Sequence, residues 1–287
     1  MRHERTAFSD FDMGEALTAD GVRLNFLRCG AGAPLVLIHS VHANLRDWTT
    51  CSLLPLLAQE HEVIAFDRPG AGLSGWPGPA GVRLTEQARL MRTALRKMGI
   101  ERPIVVGHGY GGAVGLAWAL DAPDRIAGLV TLAAPTHPWR GGVGFLHGLL
   151  ANQITGPLFA QTLLRRLTAV RGDAARAFSP MSPPRGYLEA MDEDLLRRPS
   201  TMRSNAAQIE ALPAQLRIMV SRYADLQAPV EILHGEADGI LPAPRHAAPL
   251  AEKAPRSRLT LLAGVGHMLH HAAPEAVAAA VARIRAA

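Results

Sequence analysis

Residues Val105 to Gly112, reading Val-Val-Gly-His-Gly-Tyr-Gly-Gly, constrain the fold of this chain more than any other stretch. A β-branched run ends in a glycine-rich corner. An Ala-rich segment follows, with Ala113, Val114, Leu116, Ala117 and Leu120 as its apolar residues. A strand that turns sharply into a helix needs small neighbours on both sides of the corner, or the two elements cannot approach. Gly107 and Gly111 meet that demand, and Gly112 adds room. The central residue of such a corner takes a strained, usually positive φ, at a cost of about 1–3 kcal/mol for an ordinary side chain. Glycine largely avoids that cost, and glycine is what stands there, as Gly109. A phosphate-binding turn fits less well, because the pattern is not G-x-G-x-x-G and no Walker lysine follows.

The rest of the chain alternates short apolar runs with helical stretches. Leu35–His39, Val63–Phe66, Ile104–Val106, Gly128–Leu132, Val230–Leu233 and Leu259–Leu262 are unbroken Val/Ile/Leu-type runs, as expected of parallel strands buried on both faces. Helices are predicted over Thr49–Glu60, Thr85–Lys97, Gly111–Ala119, Pro242–Ala254 and Pro274–Ala286. An opening hairpin pairs Glu15–Thr18 with Val22–Leu27 across an Asp20-Gly21 turn. The alternation implies an α/β, doubly wound, mostly parallel sheet. It breaks between Pro138 and about Ala228, which reads as a helical cap inserted at residues 138–228, with 1–137 and 229–287 forming the core. That stretch is too long for a plain loop in a compact domain.

Many of the arginines behind the +5 formal charge lie between Arg140 and Arg222, as a solvated helix face would place them, with attraction of an acidic substrate as the sharper alternative. No nucleic-acid module is visible. No apolar run is long enough to span a bilayer, and the N-terminus has no secretory h-region. Two cysteines, Cys29 and Cys51, make neither a disulfide framework nor a metal-ligand spacing, so a cytoplasmic setting is expected. No cofactor signature and no metal site are expected. A site built from His267, His270 and His271 is disfavoured because no carboxylate pair lies nearby in sequence, and His270 and His271 read as structural or solvent-facing.

Five landmarks, in order, resemble the α/β-hydrolase superfamily, in its cap-containing, esterase/lyase-like branch. They are Leu37-Ile38-His39-Ser40, Asp67-Arg68-Pro69-Gly70-Ala71-Gly72-Leu73-Ser74, the corner Gly107–Gly111, Gly235-Glu236-Ala237-Asp238, and Gly264-Val265-Gly266-His267. The resemblance implies that the corner is a nucleophile elbow, that Asp238 is the acid and that His267 is the base, in the chain order this fold requires. It further implies an oxyanion hole from the backbone N–H groups of Val41 and Tyr110. His39, Asp67 and Arg68 read as structural braces.

Two positions depart from the family pattern. Gly109 stands where the serine of G-x-S-x-G belongs, and Ser40 stands where the oxyanion loop usually has glycine. Plant hydroxynitrile lyases of this fold carry a hydroxyl at the position matching Ser40, against the substrate oxygen, but they keep the elbow serine. The first reading is a serine hydrolase of ester- or acyl-cleaving ancestry with a disabled or altered elbow, which Gly109→Ser alone should reactivate. The second is a His267–Asp238 dyad without a covalent step, performing lyase, retro-aldol, proton-abstraction or water-activation chemistry, in which Ser40 orients substrate or acts as a relocated nucleophile. The third is a non-catalytic small-molecule binder. Trp139, Phe145, Phe159, Leu241 and Met268 are the expected pocket lining, for a small substrate with an apolar moiety.

Overall fold

A computed structural model describes residues 12–17, 21–139 and 170–287. Its strands are β1 (Asp12–Leu17), β2 (Arg23–Cys29), β3 (Ala33–Ile38), β4 (His61–Phe66), β5 (Ile104–His108), β6 (Gly128–Leu132), β7 (Val230–Gly235) and β8 (Ser257–Leu262). Among the described residues they form one sheet in the order β1-β2-β4-β3-β5-β6-β7-β8. The expected hairpin is the antiparallel pair β1–β2, with Gly21 at φ 75°, and Asp20 lies outside the described residues. β2 pairs antiparallel with β4, and every later pairing is parallel.

Period-two alternation divides the core between the two faces of this sheet. Val36 and Ile38 of β3 and Val105 of β5 enter one apolar cluster, whereas Leu35, Leu37, Ile104 and Val106 enter the other. The first face is covered by α3 (Leu84–Lys97), α4 (Tyr110–Asp121) and α9 (Ala243–Lys253), the second by α2 (Leu53–Leu57) and α11 (Pro274–Ala286). Both faces of the central strands are thus dry, which is why they read as continuous apolar runs. α3 shows the one-sided pattern of a surface helix, burying Leu84, Gln87, Ala88, Met91, Ala94 and Leu95. α4 is buried along every residue from Tyr110 to Leu120. Each fully buried Val, Leu or Ile contributes roughly 1.5–3 kcal/mol relative to exposure.

One predicted helix is replaced by two. Thr49–Glu60 is not continuous: α1 spans Arg46–Thr49 and α2 spans Leu53–Leu57. Thr49 and Thr50 turn their hydroxyls back onto the Arg46 and Asp47 carbonyls, a local bond that competes with helix propagation. Pro55 also has no N–H to continue a ladder, and is tolerated only in a first turn.

Between β6 and β7 the described residues hold α5 (Val170–Phe178), α6 (Tyr187–Met191), α7 (Glu193–Leu196) and α8 (Pro199–Val220), and no strand. α10 (Leu269–Ala272) follows β8. Among the described residues no helix is long and apolar enough to cross a membrane.

Candidate active site

The loops after β3, β5, β7 and β8 leave the carboxyl edge of the parallel sheet, where open α/β sheets bind their ligands. β5 ends at His108 and α4 begins at Tyr110, so Gly109 alone makes the corner, at φ 50° and ψ −121°. Its neighbours are small for the reason anticipated: a Cβ on Gly111 would strike the Ile38 carbonyl, and one on Gly107 the Gly111 carbonyl.

Ser40 stands opposite this corner. A Cβ built on Gly109 would overlap the Ser40 hydroxyl oxygen, approach Ser40 Cβ to 2.9 Å and lie 3.5 Å from His267 Nε2. The hydroxyl of residue 40 therefore fills the space an elbow side chain would occupy. It accepts the Tyr110 N–H at 3.2 Å, so that predicted oxyanion-hole donor is already engaged by the protein. Val41, the other predicted donor, is partly buried against the first core cluster.

The Ser40 backbone is held firmly. His39 donates Nδ1–H to the Ser40 carbonyl (2.7 Å) and accepts the Arg68 N–H on Nε2 (3.0 Å). The Arg68 guanidinium donates to the carbonyls of His39 (2.9 Å) and Ser40 (3.3 Å) and to the side-chain oxygens of Gln87 and Gln208. Burial lowers Arg68 to about 10, which leaves it charged at neutral pH. Burial, followed by the Arg68 charge, takes His39 down to about 3 and keeps it neutral. Asp67 accepts from Leu45 N, Leu73 N and the Asn25 amide. All three are braces, as the sequence led us to expect.

Asp238 and His267 meet as anticipated. His267 Nδ1 lies 2.8 Å from Asp238 Oδ2; a carboxylate can only accept, so Nδ1 carries the shared hydrogen and Nε2 is the ring nitrogen turned to the corner. Asp238 Oδ1 accepts from Ile240 N (2.8 Å) and Leu241 N (2.9 Å). Burial works to raise the Asp238 pKa, but hydrogen bonds from His234 and His267, the His267 charge and the Leu241 N–H outweigh it, and the carboxyl is held far below its usual range.

Three groups were not found from the sequence. His234 Nε2 lies 3.3 Å from Asp238 Oδ2 and also meets the Leu241 carbonyl. His108 donates Nε2–H to the His267 carbonyl at 3.1 Å. Asp47, fully buried, accepts from His270 (3.0 Å), His271 (3.0 Å) and the Tyr187 hydroxyl (2.9 Å). His270 and His271 are thus not solvent-facing: their side chains are 0% and 3% exposed. The only sequence signal for His234 and His108 was their place at the carboxyl ends of strands; Asp47 had none.

The donor atoms of Asp47, His270 and His271 lie within 4.8 Å of one another, a grouping able to take a metal ion. Each is already matched by a hydrogen bond, and His267 is not among them. Of the expected pocket lining, Met268 is buried in a cluster with Ala43, Phe178, Tyr187 and Met191. Trp139 packs partly buried against the first core cluster. Leu241 serves the acid loop through its backbone. Phe145 and Phe159 lie outside the described residues.

The 2-hydroxymuconate semialdehyde hydrolase of Pseudomonas sp. (strain CF600) is 28% identical over 274 residues, covering 91% of this chain and 90% of that protein. A dihydrolipoyllysine-residue acetyltransferase component of the acetoin cleaving system from Cupriavidus necator is 37% identical over 144 residues, which span 50% of this chain but only 36% of that protein. Among solved structures, a 2-hydroxy-6-oxo-6-phenylhexa-2,4-dienoate hydrolase from Rhodococcus sp. strain RHA1 superposes with a TM-score of 0.76 at 22% identity, covering 96% of this chain and all of that one. Residues 33–274 match the family model for the alpha/beta hydrolase fold, and with its sheet order and the sequence of its landmark loops this chain belongs to that family.

Proposed function

We propose that this chain is a hydrolase in which Ser40, rather than the elbow residue, supplies the attacking hydroxyl, with His267 as base and Asp238 as its orienting acid. The observation that carries this reading is that a Cβ on residue 109 would overlap the Ser40 hydroxyl oxygen and lie 3.5 Å from His267 Nε2, so that both groups face the one corner. The Tyr110 N–H donated to that oxygen also stabilises negative charge on it, as a hydroxyl that is to act as a nucleophile requires.

In the proposed cycle, Ser40 Oγ bonds to a substrate carbonyl carbon as its proton passes to His267 Nε2. Asp238 stays ionised and steadies the imidazolium through Nδ1–H. The tetrahedral oxyanion takes the backbone N–H of Val41, a donor of a kind worth roughly 2.7–4 kcal/mol in acyl transfer, while the Tyr110 N–H stays on Ser40 Oγ. His267 returns the proton to the leaving group. It then deprotonates a water that releases the acyl group and restores Ser40. The substrate class is a small molecule bearing a carbonyl beside an apolar moiety, in line with the hydrolases the chain resembles. The free thiols of Cys29 and Cys51 support a reducing, cytoplasmic setting.

One observation favours a second reading. The Tyr110 N–H is already bound to Ser40, so Ser40 could instead orient substrate while His267 acts directly on it or on water. A phosphonate serine probe with peptide mass spectrometry separates the two. Labelling of Ser40 that disappears in Ser40→Ala and in His267→Ala, with ester turnover lost in both, is the expected result. No labelling, together with turnover retained in Ser40→Ala, would refute the covalent reading and leave the dyad.

A further inference from the structure

Asp47 lies seven residues beyond Ser40 and is 0% exposed, and its three hydrogen bonds run to two separate parts of the molecule. Tyr187 is on α6, in the helical segment between β6 and β7. His270 and His271 are on α10, three and four residues beyond His267. The stretch of chain between Ser40 and Asp47 is fastened to the same helical segment twice more. The Asn44 amide donates to the Met191 carbonyl at 2.8 Å, and Arg46 reaches Asp192 at 3.4 Å. On the other side, the His270 ring lies 4.6 Å from that of His108, which holds the His267 carbonyl. His267 is therefore gripped through its own carbonyl by the end of β5, and through its following helix by Asp47.

The charges are consistent with a fixed node. Burial works against an ionised Asp47, but the charge and hydrogen bond of His270 and those of His271 outweigh it and hold the carboxyl well below its ordinary value. Burial lowers the His270 pKa against the opposing pull of Asp47. Two imidazole Nε2–H groups and the Tyr187 hydroxyl donate to the carboxylate, and three donors are enough to hold a buried carboxylate ionised.

We infer that Asp47 is a positioning residue, tying the β6–β7 helical segment through Tyr187 to the loops that carry Ser40 and His267, so that seating of the segment and alignment of the pair occur together. This rests on the reading of Ser40 and His267 as the reacting pair. A network that only stabilised the fold would lower the melting temperature and leave the reactivity of each folded molecule unchanged. A positioning network changes reactivity as well.

Two variants test it. Tyr187→Phe removes one O–H and keeps the ring that packs edge-on against Phe178 and His271. Asp47→Asn keeps the shape and removes the charge. Two readouts are used: the second-order rate of Ser40 labelling by the phosphonate probe, per folded molecule, and the low-field proton resonance of the His267–Asp238 hydrogen bond, which does not involve Ser40. Labelling is expected to slow about tenfold in Tyr187→Phe and about a hundredfold in Asp47→Asn, the scale of a misplacement of about 1 Å. The proton resonance is expected to move in both. Unchanged labelling rates and an unmoved resonance, with only a lower melting temperature, overturn the inference. If Asp47→Asn does not fold, Tyr187→Phe alone decides. A wild-type protein that turns over substrate without labelling at Ser40 refutes the Ser40 reading instead, and the proton resonance then decides the role of Asp47 by itself.

Discussion

Restoring a serine to the elbow should fail unless Ser40 is removed with it. In Gly109→Ser the new side chain meets two separate penalties. The backbone at φ 50° and ψ −121° costs a non-glycine residue about 1–3 kcal/mol. The new Cβ also falls on the Ser40 hydroxyl and within 2.9 Å of Ser40 Cβ, and overpacking of that kind typically costs another 1–3 kcal/mol or so. The single variant should therefore lose about 2–6 kcal/mol, at roughly 2–4 °C of melting temperature per kcal/mol for a chain of this size. Ser40→Gly in the same molecule relieves the packing part and leaves the strain. The assay is a double-mutant cycle by urea unfolding of the wild type, Ser40→Gly, Gly109→Ser and the double variant. A favourable coupling of about 1–3 kcal/mol is expected, because the two side chains compete for one space. The double variant should also hydrolyse simple esters faster than Gly109→Ser, since its Tyr110 N–H is no longer taken by residue 40. Additivity within about 0.5 kcal/mol would show that residues 40 and 109 do not compete, and the proposed exchange of hydroxyl position would lose its basis.

Asp238→Asn should leave the fold intact and lower turnover by about four orders of magnitude, by presenting His267 in the wrong tautomer; single-turnover kinetics at neutral pH check this, and a loss under tenfold would contradict it. His39 is neutral in the fold with its pKa lowered to about 3, against about 6.5 when unfolded. Its contribution is complete above pH 6.5 and is lost as the pH falls towards 3, because the unfolded chain binds the extra proton. Replacing it by Gln, which can also donate to the Ser40 carbonyl and accept from Arg68, should flatten the stability profile in that window by up to about 1.4 kcal/mol per pH unit. Urea unfolding between pH 4 and 7 reads this directly; equal slopes in both proteins would place the titrating group elsewhere.

Local features of the chain settled much of the framework. The alternation of apolar runs with helical stretches, the glycines of the β5–α4 corner and the order Ser40, Gly109, Asp238, His267 are properties of short windows. They follow from side-chain period and from the space a Cβ requires, so they could be read without coordinates, as could the bracing roles of His39, Asp67 and Arg68. The continuous helix predicted at Thr49–Glu60 shows the limit of such reading, since hydroxyls turned onto nearby carbonyls outweighed propensity. What only the tertiary structure decided depends on residues far apart in the chain. Ser40 and Tyr110 are 70 residues apart, and no pattern in either window says that one hydroxyl will fill the other's corner. Asp47 and His270 are 223 residues apart, and a lone acid in a loop gives no local sign of the two imidazoles it will hold. Periodicity records which face of an element is dry. Which polar group meets which is fixed only when the sheet order brings the ends of β3, β5, β7 and β8 to one edge, where burial penalises a polar group left without a partner.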